Sequence, residues 1–338
     1  NGDGFDDVIV GARWGTGPSN TRTDAGEAIV IFGKPGGFTN IDVATMTATD
    51  GFRIFGADAS DIAGRSVSAA GDINGDGFGD LIVGAGGDGP GNTRSSAGEA
   101  VVIFGKASGF ADIDLAALAP ADGFRIFGAD TYDIAGVSVA SAGDIDGDGY
   151  DVLIIGAVAS AGPDNTRGGA GEAIVIFGGD FLGGIVHAGG DAADTLTGTA
   201  AAETFVGGRG DDVMIGNGGA DSFRGGAGND TIVVADLTFR KVDGGSGTDT
   251  LVLAGLGTID FTAIANNRVT GIEAPDVSGG EADTVVLGAL DVLHFSDTPH
   301  AGFTGAASHK RLVVHGDVGD TLDLRDLDSG SGGAYEWQ

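Results

Sequence analysis

The sequence points to an all-β protein built in successive repeat regions, and three observations carry that expectation. Related segments recur through the first half at a spacing of 72 or 73 residues, Asp72 answering to Asp144 and Asn1 to Asn74. Units of nine residues then recur from Gly189 onward. In both stretches the 67 glycines fall in register with aspartates and apolar residues, so their abundance reports repeat architecture and not disorder.

In the first region the repeat holds four short apolar runs. They read Gly51-Phe-Arg-Ile-Phe-Gly56, Ser66-Val-Ser-Ala-Ala70, Leu81-Ile-Val-Gly-Ala85 and Gly98-Glu-Ala-Val-Val-Ile-Phe-Gly105. Each is rich in β-branched or aromatic residues and bounded by glycine-rich turns, as strands are. The last run has copies at 26–33 and 171–178. A four-stranded unit in tandem describes the blade of a β-propeller. The connector Ile113-Asp-Leu-Ala-Ala-Leu118 is expected to form a helical turn at the rim.

Between the second and third runs lies an acidic loop. It reads Asp72-Ile-Asn74-Gly-Asp76-Gly-Phe78-Gly-Asp80 in the middle copy and Asp144-Ile-Asp146-Gly-Asp148-Gly-Tyr150-Asp151 in the last, and the chain opens inside the first copy at Asn1-Gly-Asp3-Gly-Phe5-Asp6-Asp7. Oxygen-bearing side chains at alternate positions, with glycines letting the backbone curl between them, suit a wrapped hard cation. Calcium takes six to eight oxygens from such a loop, main-chain carbonyls included. The candidate ligands are Asn1, Asp3 and Asp7 in the first loop, Asp72, Asn74, Asp76, Phe78 and Asp80 in the second, and Asp144, Asp146, Asp148, Tyr150 and Asp151 in the third. The third loop has Val152 where the second has Asp80, so either Asp151 substitutes or that site is weaker.

The nine-residue units occupy 189–197, 198–206, 207–215, 216–224 and 225–233 without a gap, and a sixth, 244–252, follows an interruption containing Phe239-Arg-Lys-Val242. Each opens with glycine. An acidic residue stands sixth (Asp194, Glu203, Asp212, Asp221, Asp230, Asp249) and an apolar one eighth (Leu196, Phe205, Met214, Phe223, Ile232, Leu251). The acidic residues are candidate calcium ligands. Glu203, with Gly198-Thr199 in place of a glycine pair, weakens the second unit's site. Beyond the array, Asp283-Thr-Val-Val-Leu287 and Arg311-Leu-Val-Val-His315 keep a β-type pattern. The expected division is 1–183 for the blades, 184–256 for the nonapeptide array and 257–338 for a β-rich extension. Beginning within a loop, and ending at Ala334-Tyr-Glu-Trp-Gln338 without a finished domain, the chain reads as a piece of a longer protein.

Composition excludes several partners. A net charge of −32 offers no basic stripe to phosphates, so nucleic acid and anionic membrane surfaces are not expected to bind. No apolar run is long enough to span a bilayer, so no membrane insertion is expected. With no cysteine, neither disulfides nor thiolate metal sites are available. The five histidines include no pair four apart, and no nucleophile elbow, Walker loop or dinucleotide fingerprint occurs, so no enzyme is expected. Arg209-Gly-Asp211 falls at variable positions of a unit rich in glycine and aspartate and is taken as coincidence. The recurrent Gly-Pro-x-Asn-Thr-Arg at 17–22, 89–94 and 162–167 is a candidate contact loop, but a bend set by Pro and Asn is the preferred reading. Trp14, present in one copy, reads as edge packing before ligand stacking.

The run Phe55-Gly56, the loop at 72–80 and the following Gly84-Ala85 resemble the FG-GAP repeat of integrin α-subunit propellers and bacterial surface proteins. That resemblance implies an FG-GAP β-propeller with one calcium in each loop between two strands of a blade. Only about two and a half units are present against the usual four to eight blades, so the ring is incomplete in this chain; other blades or another chain close it, or it stays open. The nonapeptides resemble RTX repeats, which implies a parallel β-roll with apolar residues inward and calcium between stacked turns. In the tail, Gly271-Ile-Glu-Ala-Pro-Asp276 and Val313-Val-His-Gly-Asp-Val-Gly-Asp-Thr-Leu-Asp-Leu324 resemble sequences that follow RTX arrays in large bacterial adhesins. Together the resemblances imply a secreted or surface-bound extracellular protein, exported by type I secretion and folded by calcium. The expected role is that of an RTX-type adhesin whose propeller loops meet a cell-surface protein, a glycan or other copies of itself. A structural subunit of a filament or surface layer, and the non-catalytic region of a secreted hydrolase, are the alternatives.

Overall fold

A computed structural model describes residues 3, 5–38, 40–88, 93–162, 166–184, 187–253, 255–279, 282–288, 291–292, 295–296 and 312–325. The protein is all-β and divides into two compact units; the main changeover is at Leu182 and Gly183, and the loop segments Gly75–Gly77 and Asp146–Gly149 are assigned to the second unit.

The first unit holds β1 (Val8–Ala12), β2 (Glu27–Ile31), β3 (Gly51–Phe55), β4 (Ser66–Gly71), β5 (Asp80–Ala85), β6 (Glu99–Ile103), β7 (Ile113–Asp114), β8 (Gly123–Phe127), β9 (Ala135–Gly143), β10 (Val152–Ala157) and β11 (Glu172–Ile176). They form three sheets, ordered β1-β2-β3-β7, β4-β5-β6-β8 and β11-β10-β9. The middle sheet is a four-stranded antiparallel blade, in which Val83 stands opposite Val101 and Val101 opposite Arg125. The rim connector forms a 3-10 turn at Leu115–Ala117, capped by the Asp114 carboxylate, as its sequence suggests.

Alternation along β6 explains how the blades stack. Its Val101 and Ile103 join a core with Val30, Phe32, Phe52 and Ile54 of the preceding sheet. Its Ala100 and Val102 join a second core with Leu153 and Ile155 of the following sheet. Being buried on both faces, the strand can be apolar at every position after Glu99. Aromatic trios seal the layers: Phe32, Phe52 and Phe110 in one, Phe104, Phe124 and Phe181 in the next. Among the described residues the three sheets do not close a ring.

The repeated connector is accounted for by packing. The Arg22 guanidinium donates to the Gly56 carbonyl at 2.7 Å and pairs with Asp114, and Arg94 donates to the Ala129 carbonyl at 2.6 Å. Part of the second and third copies lies outside the described residues. Trp14 is exposed beside the Arg13 guanidinium.

The second unit begins with β12 (His187–Ala188), β13 (Thr195–Thr197), β14 (Thr204–Arg209), β15 (Val213–Ile215), β16 (Ser222–Ala227), β17 (Thr231–Val233), β18 (Lys241–Asp243) and β19 (Thr250–Val252). β20 (Thr258–Asp260), β21 (Val269–Thr270), β22 (Ala274–Asp276), β23 (Thr284–Gly288) and β24 (Thr321–Arg325) complete it. Successive nonapeptides alternate between two parallel sheets, β12-β14-β16-β18-β21 and β13-β15-β17-β19-β22, so units two apart pair in register. The eighth residues point inward. Phe205, Met214, Phe223, Ile232 and Leu251 are fully buried in one core that also takes in Ile259, Val285 and Phe295 of the extension.

Two features depart from the sequence reading. The interruption before Gly244 is itself a turn of the roll: β18 pairs with β16, and Val242 stands beside Phe223 as the inward residue. It escapes notice because Arg240 stands sixth where the other units are acidic. The two sheets also run through β21 and β22, past residue 256, and β20, β23 and β24 make a further three-stranded parallel sheet.

Candidate metal centres

In the roll, the sixth residue of each unit immediately precedes an inward-pointing strand, so stacking sets these carboxylates above one another. One oxygen of each is committed to the stack. Oδ1 of Asp212 accepts the main-chain N–H of Asp194 at 2.7 Å, Oδ1 of Asp230 that of Asp212 at 2.8 Å, and Oδ1 of Asp249 that of Asp230 at 2.8 Å. On the other edge, Asp221 accepts the N–H of Glu203 at 2.9 Å. Each rung thus ties a unit to the unit two before it.

The second oxygen is left over. Oδ2 of Asp212, of Asp230 and of Asp249 is buried with no hydrogen-bond partner. An unsatisfied buried anionic oxygen is among the costlier things a fold can hold, and a cation is the usual remedy. Burial raises all of these carboxyls: Asp212 upward, Asp221 and Asp230 to about 6, and Asp249 to about 8, with neighbouring carboxylates adding to the effect.

Glycine makes the space beside the orphaned oxygen. A Cβ on Gly225 would stand 2.3 Å from Asp230 Oδ2, so the opening residue of that unit has to lack a side chain. The next residue, Gly226, takes φ +98°, a left-handed conformation that bends the turn. Carboxylate and carbonyl oxygens around such a gap are the donor set of a hard divalent ion, and the residues present fit calcium.

The first turns differ. Asp194 spends Oδ2 on the N–H of Gly190 at 2.9 Å. Glu203 closes on its own turn, taking the Thr199 N–H at 2.6 Å and the Thr199 hydroxyl at 3.0 Å, bonds that hold its carboxyl below the usual range. Thr199 therefore satisfies both oxygens of Glu203 within its own turn, unlike the unpartnered Oδ2 of Asp212, Asp230 and Asp249.

The acidic loops between the blade strands divide labour. Asp144, Asp146 and Asp148 each turn one oxygen toward a common point, the three atoms lying within 4.8 Å of one another. Oδ1 of Asp146 is buried without a hydrogen-bond partner, an oxygen that a cation would satisfy. Gly147 and Gly149, at φ +74° and +85°, let the loop curl between them. In the middle loop Asp72, Asn74 and Phe78 are buried and Asp76 is half-buried, and in the third loop Tyr150, which stands in the place of Phe78, is half-buried. Asp80 acts as a staple: its two oxygens take the N–H of Gly105 at 2.7 Å and of Ile73 at 3.0 Å. Asp7 makes the matching bond to Gly33 at 2.8 Å. Asp151 reaches out of its own loop, accepting the N–H of Asp72 at 2.6 Å and so tying two loops together. Asp3 caps its own turn at Phe5, and Asn1 lies outside the described residues.

Sequence reasoning missed three carboxylates of the stack. Glu273 continues it, accepting the N–H of Asp249 at 2.9 Å while its other oxygen takes the Ser296 hydroxyl. Asp283 binds the N–H groups of Gly255 and Gly257, and Asp320 binds those of Asp283 and Asp317. A signal for the last two exists: Asp-Thr followed by an aliphatic residue at 283 and 320 repeats the pattern at 194, 230 and 249. Arg209-Gly-Asp211 lies within a roll turn, where Asp211 accepts the N–H of Asn229 at 2.7 Å.

Comparison with known proteins agrees with this geometry. Residues 197–232 match the RTX calcium-binding nonapeptide repeat in four copies, and residues 63–103 match the FG-GAP repeat. A stretch of 92 residues is 35% identical to integrin alpha-PS2 of Drosophila melanogaster, spanning 27% of this chain and 6% of that protein. The chain thus carries FG-GAP and RTX repeats in that order, and its RTX repeats bind calcium.

Proposed function

We propose that this chain is the calcium-folded part of an extracellular RTX-type adhesin or surface protein. The two repeat types support the coarser statement, a calcium-binding repeat protein of the extracellular space. Both are characteristically non-catalytic modules, and ligation or stacking accounts for their carboxylates.

The observation that carries the mechanism is the row of buried, unpartnered oxygens at Asp212, Asp230 and Asp249. Calcium, when bound, supplies the positive charge those oxygens lack. The chain's own groups do the rest: Oδ1 of each aspartate fixes the stacking register, and the opening glycine keeps room beside Oδ2. Without the ion, neighbouring rungs repel and the roll opens. Where calcium is millimolar, sites with dissociation constants of about 10⁻⁴ to 10⁻³ M fill, and binding energy becomes folding energy. Such a protein is exported open and folds outside the cell, the type I route its repeats suggest. The blades then present loops to a cell-surface protein or glycan.

Two measurements test this reading. Chelation is expected to collapse the β circular-dichroism signal of the roll and calcium to restore it; a signal indifferent to chelator removes the mechanism. Calcium-dependent binding of the folded chain to whole cells or a glycan array tests the adhesive role, and its absence removes that part alone.

A further inference from the structure

Each edge of the roll carries its own row of sixth residues, and the two rows differ in charge. The register of β13, β15, β17, β19 and β22 lines up Asp194, Asp212, Asp230, Asp249 and Glu273, every one an acid. The register of β14, β16, β18 and β21 lines up Glu203, Asp221, Arg240 and Asn267. In this second row the acids stop at Asp221, and the next place belongs to a guanidinium.

The turn that bears Arg240 also lacks the room an ion needs. From Ala235 to Asp243 it contains no glycine, whereas every nonapeptide opens with one. A guanidinium has donors only, so it cannot take a main-chain N–H as the aspartates do. The main-chain N–H of Arg240 reaches the Asp221 carbonyl at 2.6 Å, and its Nη1 donates to the Ser222 hydroxyl at 3.3 Å. Those two bonds hold the charged group beside the Asp221 rung.

The carboxylates differ accordingly. Oδ2 of Asp212, Asp230 and Asp249 is buried without a partner; Asp221 is just as buried, at 2% exposure, yet neither of its oxygens is stranded in that way. Burial is the first cause that raises all four carboxyls, and neighbouring carboxylates add to it. Asp221 is the one of the four on which a cation also acts, the charge of Arg240 drawing its carboxyl back down. Glu203, the other acid of that row, is satisfied by Thr199.

We propose that Arg240 is a resident counter-ion for Asp221, so that calcium loads the edge of Asp212, Asp230 and Asp249 while the chain neutralises the opposite edge itself. A guanidinium stays charged at every working pH and needs no free metal, so the Asp221 rung remains covered when calcium falls. This inference rests on the calcium reading of the roll and adds which edge the ions occupy.

The test compares full-chain variants, with bound ions counted by native mass spectrometry and folding followed by circular dichroism during calcium titration. Asp230→Asn is expected to lose at least one ion and to raise the calcium midpoint about tenfold. Asp221→Asn is expected to keep the whole ion count and the wild-type midpoint. In saturating calcium, Arg240→Gln is expected to lower the urea midpoint by uncovering the Asp221 charge, and adding Asp221→Asn to restore it. An ion lost from Asp221→Asn, an Arg240→Gln chain as stable as wild type, or a lesion that Asp221→Asn does not relieve overturns the proposal. Those results leave the calcium reading standing, whereas an Asp230→Asn chain with unchanged ions and midpoint overturns that reading and this inference with it.

Discussion

Replacing Asp230 by asparagine separates the two jobs of a rung. The amide keeps an oxygen for the Asp212 N–H, now at 2.8 Å, and removes the charge from the orphaned position. Without calcium that charge is a liability: burial lifts the carboxyl to about 6, so at pH 7.5 it is held ionised against its environment. A rise of about two units from the ordinary carboxylate value corresponds at face value to ~3 kcal/mol. Screening at the edge of a thin roll reduces this to ~1–2 kcal/mol. With calcium the sign reverses, because a charged ligand is lost and affinity falls by about tenfold or more. Asp230→Asn is therefore expected to stabilise the calcium-free chain by ~1 kcal/mol and to raise the calcium midpoint of folding. Because chelation opens the roll, urea titrations in chelator are run with a stabilising osmolyte that repopulates the calcium-free fold; together with calcium titrations, followed by circular dichroism, they read both. Destabilisation in chelator, or an unmoved calcium midpoint, refutes the reasoning.

The remaining predictions concern pH and individual rungs. Asp221, Asp230 and Asp249 have carboxyls raised to about 6, 6 and 8, so between about pH 4 and 8 the folded roll binds more protons than the unfolded chain. The calcium-free roll is expected to lose stability as pH rises through that window, while acid weakens calcium binding; denaturation in chelator at pH 5 and 7.5 checks the first and calcium titration the second. Asp283→Ala removes the acceptor of the Gly255 and Gly257 N–H groups, which water can then reach, and is expected to cost ~1–2 kcal/mol equally with and without calcium, a loss confined to calcium conditions arguing instead for a metal site. Asp146→Ala is expected to remove one bound ion, counted by native mass spectrometry, and Asp80→Ala to destabilise its loop by ~2–4 kcal/mol through the lost Gly105 and Ile73 bonds.

Much of the fold could be read before any coordinates, because its repeats are short and the same spacing that marks a unit also sets its burial. The alternation from Glu99 to Ile103 announces a strand, and the eighth-residue apolars announce an inward stripe that the roll reproduces. The β18 turn was hidden because it has Arg240 where the pattern expects an acid, and only Val242 keeps the rule. Glu273 was hidden because the stack continues across 24 residues, a spacing the nonapeptide period does not contain. Asp80 and Asp151 show a different gap: loop composition says that carboxylates gather, but not which N–H groups claim their oxygens.

The amino-acid order alone determines that this protein has two repeat types and that acid gathers in their bends in the pattern a hard cation suits. Local spacing suffices for that, since each unit encodes its own strand and its own oxygens. What each copy faces is a different matter. The segments at 27–31 and 172–176 are identical, Glu-Ala-Ile-Val-Ile, yet the valine is buried in the first and open in the second. Which oxygen of an aspartate holds the stack, and which is left for a cation, likewise depends on a backbone N–H 18 or 19 residues away. Burial and pairing of that kind exist only once neighbouring units are in place, so they belong to the folded molecule and not to any stretch of its chain.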